Sequence, residues 1–458
     1  MTMFSTDNRN LPIENRAQLT EYLTRGGKPE QDWGVGLEVE KLILDRQTGE
    51  AAPYERIHDL LSALEGTLGW VGIYDNEHLV GLQGGNSSVT LEPGGQIELS
   101  GRLCRDIHCS KRDFDRYAGQ IVAVGREQGL CFLGLGAQPF TPLEQIEWLP
   151  KQRYDVMGPY MLRTGDMGQR MMKQTAGTQV NLDFSDEADC VRKVRVGQLL
   201  TPVFYALFAN SPILEDRPSG CLSVRGEIWS RTDADRCGLI EQLLKTGTGF
   251  SDYVDYALDV PLYFIQREGR LYNLTGTRFT FRQFLESGYL NFRATLADWE
   301  LHLSTLFPEV RLRPQVEVRT ADSLPQRMAA SVAGLVKGLL YSEESLRTVE
   351  RLLGDLSLEE FRALYRSSWK LGLKTPFQDG SLGEVAGDLL QEARRSLQRQ
   401  FREQLSDADE SHFLDDLDAI VRQDQTLAEK LLSRWQGGRE EKLTLLLEHC
   451  GYGENHSR

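Results

Sequence analysis

No apolar run in the 458 residues approaches the roughly eighteen needed to cross a bilayer. The first residues, Met1 to Asn8, lack the basic and apolar segments of a secretory leader. These absences predict a cytosolic protein that does not engage a membrane. The seven cysteines (Cys104, Cys109, Cys131, Cys190, Cys221, Cys237 and Cys450) are odd in number and lack Cys-x-x-Cys spacing. Neither a zinc site nor a disulfide framework is suggested, and mostly reduced, partly buried thiols are expected. The seven histidines are scattered and His-Glu-x-x-His is missing, which argues against a zinc hydrolase. Also missing are Gly-x4-Gly-Lys-Ser/Thr, a Gly-x-Gly-x-x-Gly after a strand, Gly-x-Ser-x-Gly and a kinase catalytic loop. A bound phosphate would therefore be held by metal and arginine, not by a glycine cradle. Positive charge is in short supply: 52 Lys and Arg against 67 Asp and Glu leave a net charge of −15, which argues against nucleic acid as a partner.

With 40% apolar and 26% charged residues the composition is globular, without low-complexity segments. No repeat and no Pro/Gly/Ser linker divides the chain, so residues 1–458 are expected to form one compact catalytic unit. Its sheet-bearing core would cover 33–325 and a mainly helical part would cover 326–450. Periodicity predicts helices over 14–25, 56–65, 102–127 and 191–209, and strands over 33–45, 131–136, 177–185 and 314–322. Hairpins are expected over 70–83, turning at Asp75 to Glu77, and over 260–274, turning at Glu268-Gly269; residues 214–249 read as irregular. Capping boxes at Ser357 with Glu360 and at Ser381 with Glu384 mark two helix starts.

The stretch from Ser87 to Gly101 reads as strand, Pro93-Gly-Gly95 turn, strand. Antiparallel pairing would set Leu91 opposite Ile97, Glu92 opposite Gln96 and Thr90 opposite Glu98. Val89, Leu91, Ile97 and Leu99 then share an apolar face, and Thr90, Glu92, Gln96 and Glu98 a polar one. A bulge within one strand would also bring the acids together, so hairpin and bulge both remain open. Three further strands repeat the pattern: Glu38 and Glu40; Gln179, Asn181 and Asp183; Gln315, Glu317 and Arg319. If these polar faces meet solvent, the pattern is only a half-buried antiparallel sheet. If the sheet curls, they line one trough whose five glutamates need a compensating charge. Magnesium suits hard carboxylate ligands and bridges them to nucleotide phosphates. Arg319 could meet two phosphate oxygens as a planar fork, with Lys374 or Arg225 as a second cation.

Seven runs occur in order over about residues 33–435: Glu38-Val-Glu-Lys41, Ser88-Val-Thr-Leu-Glu-Pro-Gly-Gly-Gln-Ile-Glu-Leu-Ser-Gly101, Pro150-Lys-Gln-Arg-Tyr-Asp-Val-Met157, Thr178-Gln-Val-Asn-Leu-Asp-Phe-Ser185, Phe208-Ala-Asn-Ser-Pro212, Tyr253-Val-Asp-Tyr-Ala-Leu-Asp-Val-Pro261 and Lys374-Thr-Pro-Phe-Gln-Asp-Gly380. Together they resemble the plant and proteobacterial type of glutamate–cysteine ligase. The resemblance implies an α+β, glutamine-synthetase-like fold, in which a curved antiparallel sheet forms a funnel with helices outside and a helical C-terminal region. It implies the first step of glutathione synthesis: Mg-ATP phosphorylates the γ-carboxylate of glutamate, and the amine of cysteine attacks the acyl phosphate. By that resemblance Glu38, Glu40, Glu92, Glu98 and Glu317 bind two or more Mg2+ ions. Glu317 and Arg319 act in catalysis, and Arg319 and Lys374 contact the nucleotide. Arg225, Gln179 and Asn181 would bind substrate, Arg225 within an Arg-x-x-Ile-Trp segment followed by Thr232-Asp-x-Asp-Arg236. The partners implied are glutamate, cysteine and ATP, with the protein a monomer or a weak homodimer. There are departures: Val39 stands where plant members have His, and Thr320-Ala-Asp-Ser323 replaces Gly-Ala-Asp-Gly. Ala176 occupies one regulatory cysteine position, so the plant redox switch is not carried over. The rival readings are a ligase for a different amine, a guanidino phosphotransferase of the same fold and a nucleotide-binding regulator without turnover.

Overall fold

The computed structural model describes residues 10–454 apart from Asn86, so the leader-free reading of Met1 to Asn8 lies outside the described residues. Nine strands form the main sheet: β1 (Val35–Asp45), β2 (Val71–Asp75), β3 (His78–Gly84), β4 (Ser87–Leu91), β5 (Ile97–Ser100), β6 (Leu130–Leu133), β7 (Gly177–Leu182), β8 (Val310–Arg313) and β9 (Gln315–Asp322). Their order is β8-β9-β7-β1-β5-β4-β3-β2, and every pairing is antiparallel. Strand β1 changes partner part-way. Its first half lies between β7 and β5, whereas Leu42 to Asp45 pair with β6.

The alternation along β1 buries Val35, Leu37 and Val39 in the core. The helix Ala329–Leu340 packs on β1 and β7 from the helical half, and all twelve of its residues are buried. A helix that is apolar on every side has to be covered on every side. Its one lysine, Lys337, is paired with the buried Glu410 at 2.5 Å. Both expected capping boxes are present, as is the hairpin turning at Glu268-Gly269. Among the described residues no helix is long and apolar enough to cross a membrane.

Several boundaries differ from the periodic reading, each for a local reason. The helix expected from 102 is Ile107–Glu127, because Cys104 bridges to Val35 and Asp106 caps the helix by accepting the Cys109 N–H at 2.7 Å. Leu103, inside the expected helix, is 42% exposed. The segment over 191–209 is two helices, Glu187–Leu199 and Thr201–Leu207, the first capped by Asp186. Pro202 opens the second, where its missing N–H is tolerated. The irregular 214–249 region contains a helix, Val224–Ser230, capped by Ser223. Cys104 and Cys109 are bonded to each other, against the expectation of free thiols; the bridged extended segment and the helix start bring their Cα atoms to 5.9 Å.

The 87–101 stretch is a hairpin. Leu91 pairs with Ile97 and Thr90 with Glu98, while the Glu92 N–H donates to the Gln96 carbonyl at 2.8 Å. Gly95 closes the turn with φ +83°, and a Cβ on Gly94 would lie 2.3 Å from the Lys173 carbonyl oxygen. Gly94→Ala should therefore destabilise the protein by roughly 1–3 kcal/mol, read as a lower urea midpoint than that of wild type.

Candidate active site

Antiparallel register brings the polar faces of five strands, β1, β4, β5, β7 and β9, together. Glu38 stands opposite Gln179 on one side and Ser100 on the other, Glu40 opposite Glu98, Glu98 opposite Thr90, and Asn181 opposite Glu317. Residues directly opposite, or two apart on one strand, share a face. Glu38, Glu40, Glu92, Glu98, Gln179, Asn181, Glu317 and Arg319 thus lie on one surface of the sheet.

One half of this surface is acidic and short of cations. Glu40 accepts from the Gly177 N–H at 2.6 Å and from Gln179 Nε2 at 3.0 Å, and Glu38 accepts from Asn181 Nδ2 at 2.7 Å. Glu98 accepts from the Ser100 hydroxyl. Burial, and then the charge of Glu92, push Glu40 up to about 7. Burial and the neighbouring glutamates raise Glu98 well above the usual carboxylate range, and burial and Glu317 raise Glu38. Like charges on a half-dry surface resist joint ionisation. They also keep apart: among the described residues no three of the glutamates bring their oxygens within 4.8 Å of one another.

The other half is built from arginine. Glu317 is fully buried, and its carboxylate accepts from Arg311 Nε at 2.9 Å and Nη2 at 2.7 Å, from Arg313 Nη2 at 2.9 Å and from Arg319 Nη1. Burial alone would raise its pKa, but the three guanidinium groups hold it far below the usual range. A carboxylate has about four acceptor positions. All four of these are taken by arginine N–H groups, so Glu317 anchors three guanidinium groups. The sequence did carry the signal for Arg311 and Arg313: Val310-Arg-Leu-Arg313 alternates, and Arg311 lies opposite Glu317. Arg319 Nη1 also donates to Gln179 Oε1 at 2.5 Å, and Gln315 Nε2 to Asn181 Oδ1 at 2.5 Å, linking the two halves.

Arg225 is buried behind the arginine half. Nη1 donates to the Thr320 carbonyl and Nη2 to the Arg319 carbonyl, both at 2.9 Å, and its guanidinium occupies the space that a Cβ on Gly177 would need. Among the described residues Arg225 Nε and Trp229 Nε1 are buried without an acceptor, and the Arg225 and Arg319 guanidinium carbons lie 5.7 and 6.0 Å from the Trp229 ring centroid. Lys374 is exposed and paired with Glu429. The helix Gln152–Thr164, which no site assignment had included, brings Arg153 and Tyr154 to the acidic half. Burial raises the Tyr154 hydroxyl well above its ordinary value, and Glu92 is the leading charge acting on it. Arg153 Nε is another buried donor without an acceptor, and Lys151 Nζ holds the Leu91 carbonyl at 2.6 Å. Asp183 is a brace, accepting from the Gly34 N–H and pairing with Lys28.

The model of glutamate–cysteine ligase family 2 matches residues 34–449. The chain belongs to this family. Its relatives include glutamate–cysteine ligase B, chloroplastic, of Oryza sativa subsp. japonica, 39% identical over 444 residues that cover 93% of this chain and 87% of that protein. Glutamate–cysteine ligase, chloroplastic, of Arabidopsis thaliana is 41% identical over 425 residues, 92% of this chain and 80% of the relative. The crystal structure of a glutamate–cysteine ligase from Francisella tularensis in complex with AMP aligns with a TM-score of 0.54 at 11% identity, over 93% of this chain and 90% of that one. That likeness speaks for the α+β, glutamine-synthetase-like fold. The cytosolic expectation is overturned by curated relatives that are chloroplastic by name, among them those of Oryza sativa, Brassica juncea and Arabidopsis thaliana.

The raised Glu40 pKa has a measurable consequence in the metal-free protein. Glu40 binds its proton more tightly folded than unfolded, so its contribution to stability is complete below the unfolded carboxylate range and is lost as pH rises through about 7. Melting temperatures from about pH 5 to 8 should fall more steeply for wild type than for Glu40→Gln, which carries no titrating group at this position.

Proposed function

We propose that the protein joins the γ-carboxylate of glutamate to the amine of cysteine at the expense of ATP, and that residues 1–458 act as one catalytic unit. The observation that carries this reading is the division of one sheet face into an acidic half, whose glutamates form no ion pair among the described residues, and an arginine half anchored on Glu317. Ligation through an acyl phosphate requires both, since a polyphosphate and two carboxylic acids must be brought together against their own repulsion.

The donor set of the acidic half fits Mg2+. Glu38, Glu40, Glu92 and Glu98 offer hard carboxylate oxygens, and the raised pKa values of Glu38, Glu40 and Glu98 reflect a demand for positive charge. Their spread over the face suits two or more ions better than one. When bound, Mg2+ would neutralise phosphate charge and polarise the transferred group. Glu317 keeps Arg311, Arg313 and Arg319 at one place and in one orientation. Arg319, held through Nη1, directs the rest of its guanidinium at the transferring phosphate and stabilises the charge spread over its oxygens. Gln179 and Asn181 fix the orientation of Glu40 and Glu38 while lining the substrate space.

The acid substrate is held by donors that lack a protein partner. Arg225 Nε, Trp229 Nε1 and Arg153 Nε are buried N–H groups, and a buried donor without an acceptor is costly unless a ligand supplies one. Oriented in this way, one γ-carboxylate oxygen attacks the γ-phosphorus of ATP and ADP departs. The cysteine amine then attacks the acyl carbon, the C–N bond forms, and orthophosphate leaves with the former carboxylate oxygen. Closure of the site against water protects the acyl phosphate from hydrolysis.

With Mg-ATP and glutamate present, orthophosphate release should depend on cysteine, and mass measurement should find the γ-glutamyl dipeptide. Release indifferent to cysteine, or faster with another amine, would overturn the choice of acceptor. Glu92→Gln and Arg319→Ala should each lower kcat by about 10²-fold or more with near-native circular dichroism. Normal turnover in either variant would remove the trough from the mechanism.

A further inference from the structure

At the end of β9, Asp322 is 1% exposed and has no direct hydrogen bond to an arginine or lysine. Its carboxylate accepts three hydrogen bonds from small groups: the Asn210 N–H at 2.8 Å and the Ser211 hydroxyl at 2.7 Å reach Oδ2, and the Ser223 hydroxyl reaches Oδ1 at 2.8 Å. All three donors are fully buried. Ser211 Oγ in turn accepts the Arg225 N–H at 3.2 Å, and Ser223 caps the helix Val224–Ser230 by accepting the Gly226 N–H. The Arg225 side chain then returns to β9, donating to the carbonyls of Thr320 and Arg319. A closed circuit therefore runs from Asp322 through Ser211 to the backbone of Arg225, with Ser223 holding the adjacent Gly226, and from the Arg225 guanidinium back to the strand that carries Glu317 and Arg319.

We infer that Asp322 is a positioning residue for the acid-substrate side of the site, acting through Arg225 and not by touching substrate; the inference rests on the ligase reading above. Only an acceptor-only group suits this position, since an ionised carboxylate can receive all three donors and gives nothing back. An amide would turn its NH2 toward one of them and leave a buried donor opposed by another donor. The first residue to feel this is Arg225, whose N–H hangs from Ser211 and whose Nε is a buried donor without an acceptor among the described residues. The charge of Asp322 also attracts Arg225 across the circuit. Arg319 is less affected, because its side chain is fixed independently by Glu317 and Gln179.

The test compares Asp322→Asn, Arg225→Gln and the double variant in steady-state ligation, with melting temperature as a control for folding. Asp322→Asn should raise KM for glutamate by about tenfold or more while KM for ATP stays within about twofold. Added to Arg225→Gln, it should raise KM for glutamate no further, because both changes act on one contact. Equal increases in both KM values, a fall in active fraction alone, or multiplicative effects in the double variant would each overturn the inference. If Asp322→Asn does not fold, Ser211→Ala gives the same readout with one link removed: a several-fold rise in KM for glutamate alone supports the circuit, and an unchanged value overturns it. A wild-type protein that forms no product with any amine overturns the ligase reading first and removes this inference with it, a result distinct from the variant outcomes.

Discussion

Like charge on a shared sheet face is the constraint to which the rest of the molecule answers. Strand β1 brings Glu38 and Glu40 between Glu98 on one neighbour and the amide pair Gln179 and Asn181 on the other. Carboxylates so placed would unfold a sheet that had nothing else to hold it. Two things hold this one. The amides and the Gly177 N–H donate to the acids, and the opposite face of the same strands is packed to near-complete burial against the helix Ala329–Leu340. Behind the acids, Lys41 is 1% exposed and donates to the Val39 carbonyl beneath the Phe114 and Tyr452 rings. Burial brings its pKa down to about 7, against the pull of Glu98 and Glu40.

The arginine half solves the converse problem. Three guanidinium groups within reach of one another repel, and Glu317 is what allows them to coexist. A polar surface of this kind works by being organised before any ligand arrives. Arg319 belongs to both halves through Gln179, so the orientation of a phosphate-facing group and that of a metal-facing carboxylate are not independent.

Period-two alternation with an obvious turn offered the register Thr90 to Glu98, Leu91 to Ile97 and Glu92 to Gln96 as one of two readings, hairpin or bulge, and the structure takes the hairpin. Side chains that reach a site from outside that alternation were harder to see. Arg153 comes from a helix start and Trp229 from a helix inside a segment with no readable period. Lys374 shows a different limit: a lysine in a Gly-containing loop looks free for phosphate, and its pairing with Glu429 of a following helix is not visible in the sequence. Glu317 was legible as a site acid but not as an arginine anchor, because the count of donors around a carboxylate depends on the neighbouring strand. The helix start at Ile107 was missed because Asp106, a good cap, follows four residues whose polarity fits a helix equally well.

The Pro93-Gly-Gly95 turn has the geometry of a surface hairpin but is gripped from several sides. The Leu149 N–H donates to the Pro93 carbonyl, Gln96 Nε2 donates to the carbonyls of Met172 and Thr175, and Gly94 lies against the backbone of Lys173. Such a turn cannot gain or lose a residue as an ordinary loop can, since each change would lift the tip out of its socket. It behaves as a ruler: the separation of Glu92 from Glu98 is fixed by chain segments that carry none of the five glutamates.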